Sequence, residues 1–413
     1  MKRISLGPLL IAALTISYFS FGWGRVLPSL SIAAIFLFIA FFVSIVKYGL
    51  SFHKISVLSI CLAFFLLFLI FLINDFYIPF FRIRDFSIIL LVFTVFYNFF
   101  KNESEANINF ILKIIIFYLS FSSFIAFFQS LNFDFSWNIR SFLPSIQDMA
   151  VSYQIENRIR PAGLSYYSVQ LSYQLLIGLI SVDIASIKNR FFKKHKFKFF
   201  TFILLGGLFG ANLSLILASM IYFALRFTLS NRKISLVGIL TIATLLVLVI
   251  ISPTLDRLIF VDASSLSRIT FLYIGLNILF RYPFGVSYDE IYEIKSSSIF
   301  YMDLNNLPMA DKLLETSFHN SFLSLGIETG IIGMILYILF YLYLLIFYFK
   351  GFTSKQYYLE QIYLVGFCGN FAYLIQLISH NAGPFHSDPY FWMINGILIG
   401  YLEFIKKSIN RSS

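Results

Sequence analysis

Long apolar runs separated by short polar segments dominate the chain. A helix needs about 20 apolar residues to cross the roughly 30 Å hydrocarbon core of a bilayer, since each residue adds about 1.5 Å. By that measure the sequence predicts an all-α, polytopic membrane protein with twelve spans. The predicted spans are 6–23, 29–46, 55–74, 85–100, 109–131, 164–187, 199–210, 212–229, 234–252, 321–348, 357–380 and 389–405.

The region from 199 to 229 is the least regular part of this pattern. It is too short for two full spans and too long for one. Gly206, Gly207 and Gly210 lie in its middle and favour two short helices joined by a tight turn.

Composition agrees with a membrane protein and excludes a soluble globular one. Of the 413 residues, 59% are hydrophobic and 12% are charged, about half the charged fraction of a soluble domain. Cys61 and Cys368 both fall inside apolar runs, which predicts no structural disulfide. No small-residue cleavage site follows Met1-Lys2-Arg3, so we expect the first apolar run to remain as a span.

The net charge of +11 must be interpreted by location, and we expect no nucleic-acid partner. With both termini in the cytoplasm, 20 of the 31 Lys and Arg residues are cytoplasmic and 11 are external. This bias obeys the positive-inside rule, and the basic run 188–198 predicts a cytoplasmic turn. A single span over 199–229 would place Arg226, Arg232 and Lys233 outside, which favours the two-helix interpretation.

The external charges also differ in kind from the cytoplasmic ones. The external segments carry nine Arg and two Lys, whereas the cytoplasmic segments carry fifteen Lys and five Arg. A guanidinium group binds phosphate with two parallel hydrogen bonds and stays charged when partly desolvated. The external face is therefore predicted to bind an anionic ligand.

The chain is predicted to be a single membrane domain over 1–413, with two long external loops at 132–163 and 252–320. Within the second loop, Ser267 to Leu279 has apolar residues at helical spacing. We expect this stretch to lie along the membrane interface as an amphipathic helix.

Three segments on the predicted external face combine charged residues with turn-forming residues. The first segment is Arg158-Ile-Arg160-Pro161-Ala162-Gly163, which closes the first long loop. The second segment is Arg268 together with Pro283-Phe284-Gly285. The third segment, 319–333, begins with His319-Asn320 and runs into Glu328-Thr-Gly330-Ile-Ile-Gly333.

These segments, in this order and on this topology, resemble the Wzy-type O-antigen polymerase and O-antigen ligase superfamily, which are membrane glycosyltransferases of the GT-C kind. The resemblance covers Arg158 to Tyr348. The matching positions are Arg160 and Gly163 for Arg-x-x-Gly, Arg268, Pro283 and Gly285 for an Arg-led helix that runs into Pro-x-Gly, and His319, Asn320, Glu328, Gly330 and Gly333 for His-Asn followed by Glu-x-Gly-x-x-Gly. Tyr167-Ser168 replaces the family's usual Pro-Asn, and the family's Ser-Arg in the short hairpin is absent.

The resemblance implies an O-antigen or capsule polymerase at the outer face of the cytoplasmic (inner) membrane. Such an enzyme transfers a glycan from undecaprenyl diphosphate, or a similar polyprenyl diphosphate, to the terminal sugar of a lipid-linked repeat unit. Its partners are the lipid-linked donor and acceptor and the bilayer, with a chain-length regulator and a flippase as candidate partners. The close alternative is a ligase that moves the glycan to lipid A core, and a more remote one is a lipid-linked oligosaccharide flippase.

The residues suit this chemistry. Diphosphate is a good leaving group, so the site mainly needs positive charge, which Arg160 and Arg268 would supply as catalytic residues. His319, with an ordinary pKa of about 6.5, would accept the proton of the attacking hydroxyl. Further substrate contacts are expected from Arg158, Asn320, Glu328 and Arg281.

No metal or other cofactor is expected. The first external turn, GWGRVLPS, has no carboxylate, unlike that of metal-dependent GT-C enzymes. The acidic residues Asp289, Glu290 and Glu293 are interpreted as a solvated face.

Each site residue has a structural alternative. His319 and Asn320 could cap the helix that follows. Arg158 could be a plain loop charge, and Arg268 could pair with Asp262 or Asp289. Glu328, near a helix start, could favour the helix dipole, although an ionisable group at that depth is a functional candidate. His380, Asn381 and His386 in the last external loop could face the same cavity.

Overall fold

The computed structural model describes residues 6–21, 25–27, 30–141, 154–155, 158–159, 161–165, 168–209, 213–230, 263–301, 318, 320–353, 356–380, 383–386 and 388–410. Of residues 21, 25–27, 30–31, 140–141, 154–155, 158–159, 168, 207–209, 213, 263–270 and 298–301 it describes the backbone alone.

The described chain is helical apart from two short β-hairpins. The hairpins pair β1 (Arg25–Leu27) with β2 (Leu30–Ser31), and β3 (Gln154–Ile155) with β4 (Arg158–Ile159). The helices are α1 (Leu6–Phe21), α2 (Ile32–Tyr48), α3 (Lys54–Ile73), α4 (Phe80–Asn102), α5 (Glu105–Ser130), α6 (Asp134–Ser141), α7 (Ser168–Lys188), α8 (Arg190–Phe209), α9 (Leu213–Ser230), α10 (Ala263–Arg281), α11 (Ile291–Tyr301), α12 (Ser321–Phe352), α13 (Tyr357–Ser379) and α14 (Pro389–Asn410).

Eleven of the twelve predicted spans coincide with a helix, and the twelfth, 234–252, lies outside the described residues. Six of the described helices are long and apolar enough to cross a membrane, so the protein is a membrane protein. These six are Lys54–Ile73, Phe80–Asn102, Glu105–Ser130, Val169–Lys188, Ser321–Phe352 and Tyr357–Ser379.

The core forms where small residues let helices approach closely. Gly396 and Gly400 of α14 lie against α4, and a Cβ atom at Gly400 would come within 2.7 Å of the Tyr97 carbonyl oxygen. Trp392 of α14 is buried and donates its Nε1 proton to the Pro384 carbonyl oxygen at 2.7 Å. In the absence of a strong hydrophobic driving force inside a bilayer, such close packing holds helices together.

The region from 199 to 229 contains two helices, as predicted, but Gly206 and Gly207 are not in the turn between them, and Gly210 lies outside the described residues. Gly206 and Gly207 lie within α8. Gly206 instead packs against Ser123 of α5, whose hydroxyl contacts the Gly206 nitrogen at 2.7 Å. In addition, α8 begins at Arg190, so most of the basic run expected in a cytoplasmic turn is helical.

A buried ion pair ties α7 to its neighbours. Asp183 of α7 accepts hydrogen bonds from Arg226 Nε at 2.9 Å and from the Tyr222 hydroxyl at 2.6 Å, both on α9, and it also pairs with Lys196 of α8. Arg226 donates further to Gln361 of α13 at 2.7 Å. The charges of these buried residues are thus compensated within the bundle.

The long helix α12 is interrupted at Gly330, which has φ 75° and ψ 177°. The interruption leaves backbone groups without their helical partners, and a turn from the second segment satisfies two of them. Ile331 donates its N–H to the Pro283 carbonyl at 2.9 Å, and Val286 donates to the Ile327 carbonyl at 2.8 Å. Backbone of this kind is tolerated at membrane depth when protein provides the hydrogen bonds.

The turn and the helix interruption approach so closely that positions 285 and 330 must both be glycine. A Cβ atom at Gly330 would lie 2.7 Å from the Pro283 oxygen, and one at Gly285 would lie 3.0 Å from the Gly330 nitrogen. Both residues also have positive φ, which side chains disfavour. The expectation that Pro283 and Gly285 form a structural turn is therefore confirmed.

A second, smaller core joins α10 to the first half of α12. Apolar residues of α10 pack against Leu323 and Ile327, and the predicted helix over Ser267 to Leu279 is confirmed as part of α10. The members of this core are Phe271, Ile274, Ile278, Leu279, Val286, Phe318, Leu323 and Ile327.

We predict that Gly330→Ala destabilises the protein more than Gly49→Ala does. Gly49 has a similar φ of 72° but no atom within 4 Å of an added Cβ, so its substitution tests the backbone conformation alone. We expect a loss of about 1 kcal/mol at Gly49 and about 2–4 kcal/mol at Gly330, where the added atom also meets Pro283 and Phe284. Unfolding of the purified protein in mixed detergent micelles measures both, and equal losses would contradict the crowding at the break.

Candidate functional site

The first segment is fixed by the side chain of Gln129 on α5. Gln129 Oε1 accepts the N–H groups of Ala162 and Gly163 at 3.0 and 2.9 Å, and its amide donates to the Gly163 carbonyl at 3.2 Å. Gly163 has a φ of 57°, and an added Cβ would lie 2.4 Å from the Ser122 oxygen, which confirms its predicted role as a turn residue. The backbone of Arg158 lies in β4, whereas its side chain and all of Arg160 lie outside the described residues.

Buried polar contacts continue from the first segment to α14. Ser165 donates to Gln174 of α7 at 2.6 Å, and Gln174 donates to the Tyr390 hydroxyl at 3.0 Å. Tyr390 follows the loop between α13 and α14, and its backbone N–H donates to Asp388 at 2.9 Å. The first segment is therefore tied to that loop.

The same loop reaches the third segment. Gly383 lies so close to the start of α12 that an added Cβ would be 1.9 Å from Ser321 Oγ. His386 contacts Arg82 at 2.8 Å and Glu328 at 3.3 Å through Nε2. His386 therefore contacts Glu328 of the third segment, whereas His380 contacts Ser214 of α9 and Asn381 lies outside the described residues.

The second and third segments meet next to His319. The ring of Phe271 lies 6.1 Å from that of Phe318, which immediately precedes His319 in the chain. Arg268 stands one helical turn before Phe271 and Leu272 in α10. Its side chain lies outside the described residues, and so does the whole of His319. The fold therefore places Phe271, three residues after Arg268, beside the residue that precedes His319.

Asn320 is the N-cap of α12, as the structural alternative foresaw. Its Oδ1 accepts the Leu323 N–H at 3.0 Å. Asn320 also lines an apolar groove of about 340 Å³ between α10, α12 and α13. The other residues that line the groove are Leu272, Leu276, Phe322, Leu323, Met334, Ile338, Tyr341, Leu342, Leu345, Leu374 and Ile378.

Glu328 lies among three residues from separate parts of the chain, and we name this group the Glu328 cluster: Glu328, Arg82, Tyr288 and His386. Arg82 of α4 pairs with both carboxylate oxygens, and the Tyr288 hydroxyl donates to Oε2 at 3.0 Å. Arg82 Nε donates to the same hydroxyl at 2.8 Å. Because Arg82 can only donate, its 2.8 Å contact makes His386 Nε2 an acceptor.

The position of Glu328 differs from that expected for a residue near a helix start. It lies two residues before the interruption at Gly330, in the last turn of the first half of α12. A carboxylate there faces the negative end of the helix dipole, which is unfavourable. Arg82, with only 1% of its side chain exposed, supplies the compensating charge.

Arg281 is distant from Arg268. It is the last residue of α10 and is exposed, so the two arginines are separated by 13 residues, or about 20 Å of helix. One phosphate group cannot contact both residues. If Arg281 binds substrate, it contacts a different part of it.

The acidic residues after α10 form a solvated face, as predicted. Asp289, Glu290 and Glu293 are all exposed. Within the described ranges, no group of three or more His, Cys, Asp or Glu side chains is arranged to hold a metal ion. Cys61 and Cys368 are both free thiols, which confirms the predicted absence of a disulfide between them.

Sequence reasoning did not identify Arg82 or Tyr288. Arg82 is one of nine external arginines, and Tyr288 belongs to none of the three segments. The sequence did contain one signal for Arg82, which stands just before the predicted span 85–100. A charged residue beside an apolar span needs a partner of opposite sign.

Comparison with known families gives a match to part of the chain. A family model described as O-antigen ligase matches residues 169–338. The matched region starts in α7 and ends in the second half of α12, so it contains the second and third segments and excludes the first. No curated protein matches the chain.

The loop that joins the segments provides a pH-dependent prediction. Asp388 is buried, which raises the pKa of its carboxyl from 3.8 to about 6, although hydrogen bonds from Tyr373 and the backbone oppose the shift. The folded state therefore binds this proton more tightly than the unfolded chain does. Its stabilising contribution is complete below about pH 4 and is lost as the pH rises through 6.

We expect wild-type protein to lose about 2.5 kcal/mol relative to Asp388→Asn between pH 4 and pH 7.5, since each pKa unit corresponds to about 1.4 kcal/mol and the unfolded chain is only partly protonated at pH 4. Thermal unfolding in detergent across this range measures the difference. Asp289→Asn, at an exposed position, is the control and should follow the wild type. Identical pH profiles for wild type and Asp388→Asn would show that this carboxyl does not titrate as stated.

Proposed function

Since residues 169–338 belong to the O-antigen ligase family, whose members are glycosyltransferase-like polymerases and ligases, we propose that this membrane protein is a polysaccharide polymerase. It transfers a glycan from polyprenyl diphosphate to the terminal sugar of a second lipid-linked repeat unit, without a metal ion. In this proposal both termini are cytoplasmic, and the three segments face the outside of the inner membrane.

One observation carries the proposal: the apolar groove begins at the residue that follows His319. A polyprenyl diphosphate has an apolar chain and an anionic head, so its site must join an apolar surface to positive charge. Leu272 and Leu276 line the groove, and Arg268 lies four residues before Leu272. Positions four residues apart share one face of a helix, so position 268 extends the groove face of α10.

The chemistry assigned to the segments is a single displacement at the anomeric carbon. The acceptor hydroxyl oxygen forms the new bond to that carbon while the bond from the carbon to the diphosphate oxygen breaks. The electron pair leaves with the diphosphate, which Arg160 and Arg268 stabilise. His319 accepts the hydroxyl proton. Arg158 and Arg281 contact other anionic or polar parts of the two substrates.

The alternatives predict different products. A ligase would move the glycan to lipid A core and would use the same donor site. A flippase would need charged groups along a path through the membrane, whereas the buried carboxylates of Asp183 and Glu328 are both neutralised by arginines. This favours a transferase over a flippase.

The test is formation of a surface-polysaccharide ladder in a deletion strain. We expect wild type to restore the ladder, and Arg160→Ala, Arg268→Ala and His319→Ala to lower polymer formation by about 100-fold, the usual effect of losing one such group. Arg140→Ala, an arginine of the first long loop outside the three segments, should behave as wild type. Membrane expression of every variant is measured by immunoblot.

The product in the deletion strain separates the candidates. Single repeat units on the lipid carrier at the outer face support a polymerase. Polymer that remains on the lipid carrier identifies a ligase, and repeat units trapped inside the cell identify a flippase. If the three variants keep the ladder, their assigned roles are wrong.

A further inference from the structure

The first half of α12, Ser321–Thr329, is a short rod that folds back on the second half, so that the ring of Phe322 lies 4.5 Å from that of Tyr337. A continuous helix fixes its residues through its own hydrogen-bond ladder, but this ladder is interrupted at Gly330. Side-chain contacts, with the second half and with other elements, must therefore fix the half-helix. Since His319 and Asn320 immediately precede it, any movement of the rod moves them as well.

The near end of the rod packs on the second half of α12 and on α10, mostly through apolar side chains. Ser321 Oγ lies 3.0 Å from the Tyr337 hydroxyl, and Leu323 packs on Gly275 of α10. Apolar packing alone permits sliding and rotation, because it is not directional.

The far end has strong, directional contacts through the Glu328 cluster. Glu328 is 14% exposed, and its carboxylate meets a guanidinium, a phenol and an imidazole that come from three elements. Arg82 in turn is oriented by Tyr288, whose hydroxyl accepts a hydrogen bond from Nε at 2.8 Å. Both carboxylate oxygens of Glu328 contact the same Arg82 nitrogen, Nη2, and charge-assisted hydrogen bonds of this kind are about twice as strong as neutral ones.

Tyr288 and the Pro283–Gly285 turn extend this attachment. Asn74, at the end of α3, accepts the Tyr288 N–H at 2.9 Å, which fixes the loop that carries the phenol. The rod is thereby connected to α3, α4 and the loop between α13 and α14.

We propose that Arg82 and His386 are positioning residues for the transfer reaction. Arg82 holds Glu328, and His386 accepts a hydrogen bond from Arg82, so the two residues together set the angle and rotation of the half-helix Ser321–Thr329 and thereby the place of Asn320, which lines the groove and follows His319 in the chain. The proposal rests on the proposed function and refines it, because Glu328 then binds protein rather than substrate.

The first test measures the position of the rod directly and needs no activity. Spin labels at Phe322→Cys and Leu339→Cys, in a Cys61→Ser background, lie on the two halves of α12, which pack side by side, and their short separation is measured from the dipolar broadening of the spectrum. We expect a narrow distance distribution in the parent protein and a broad or shifted one in Arg82→Gln and in His386→Asn. Arg84→Gln is the matched control, because Arg84 is 40% exposed and pairs with Asp85 instead of Glu328.

The second test separates positioning from substrate binding. With purified enzyme and a synthetic lipid-linked repeat unit, we expect Arg82→Gln and Glu328→Gln to lower kcat by about 10- to 100-fold, the effect of a small misplacement of a reacting group. KM for the donor should change less than about 3-fold. His386→Asn should have the same type of effect, and Arg84→Gln none.

A single substitution at Arg82 leaves a buried carboxylate alone and can prevent folding, so the double variant Arg82→Gln/Glu328→Gln is included. If Arg82 and Glu328 act together, the kcat of the double variant is no lower than that of the less active single variant. An unchanged distance distribution, or a raised KM with normal kcat, would overturn the proposal. If the wild-type enzyme transfers no glycan, the proposed function fails, and the spin-label distances still decide whether Arg82 and His386 position the rod.

Discussion

The hydrogen bonds across the interruption of α12 are the constraint on which the rest of the site depends. Within a membrane, an unsatisfied N–H or C=O group costs several kcal/mol, so a helix can be interrupted only where another backbone replaces the lost partners. The turn Pro283–Gly285 fills that role for Ile327 and Ile331. This contact explains why residues 285 and 330 are both glycines. It also places α10 where the small core forms, and it buries Glu328.

The pairing also explains why two separated sequence segments belong to one site. The turn that ends α10 is inserted into α12, and this contact sets where α10 can lie. The helix that carries Arg268 and the chain that carries His319 are then neighbours, and the groove forms between them. The loop between α13 and α14 joins this unit to the first segment through Tyr390 and Gln174.

Sequence reasoning predicted the helices well, because long apolar runs report directly on spans. It failed where two structures give the same hydropathy. The run 321–348 was predicted as one straight span although Glu328-Thr-Gly330 lies within it, because glycine occurs in close helix contacts as well as in helix interruptions. Gly206 was assigned to a turn since glycine serves both turns and close helix contacts. The Arg82–Glu328 pair joins residues 246 positions apart, and local spacing carries no information about such a contact. Asn320 was correctly seen as a cap, because capping is a local property.

The packing of α14 against α4 has a consequence for how the chain is assembled. Most of α4 is buried, and Gly396 and Gly400 form part of the surface that covers it. When a ribosome delivers the chain from its N-terminus, α4 enters the bilayer long before α14 exists. Until Pro389–Asn410 has been synthesised, the α14-facing side of α4 must be covered by lipid, by other helices or by the insertion machinery. The last helix thus completes the interior of the first part of the bundle, and this late step makes assembly slow and vulnerable to premature termination.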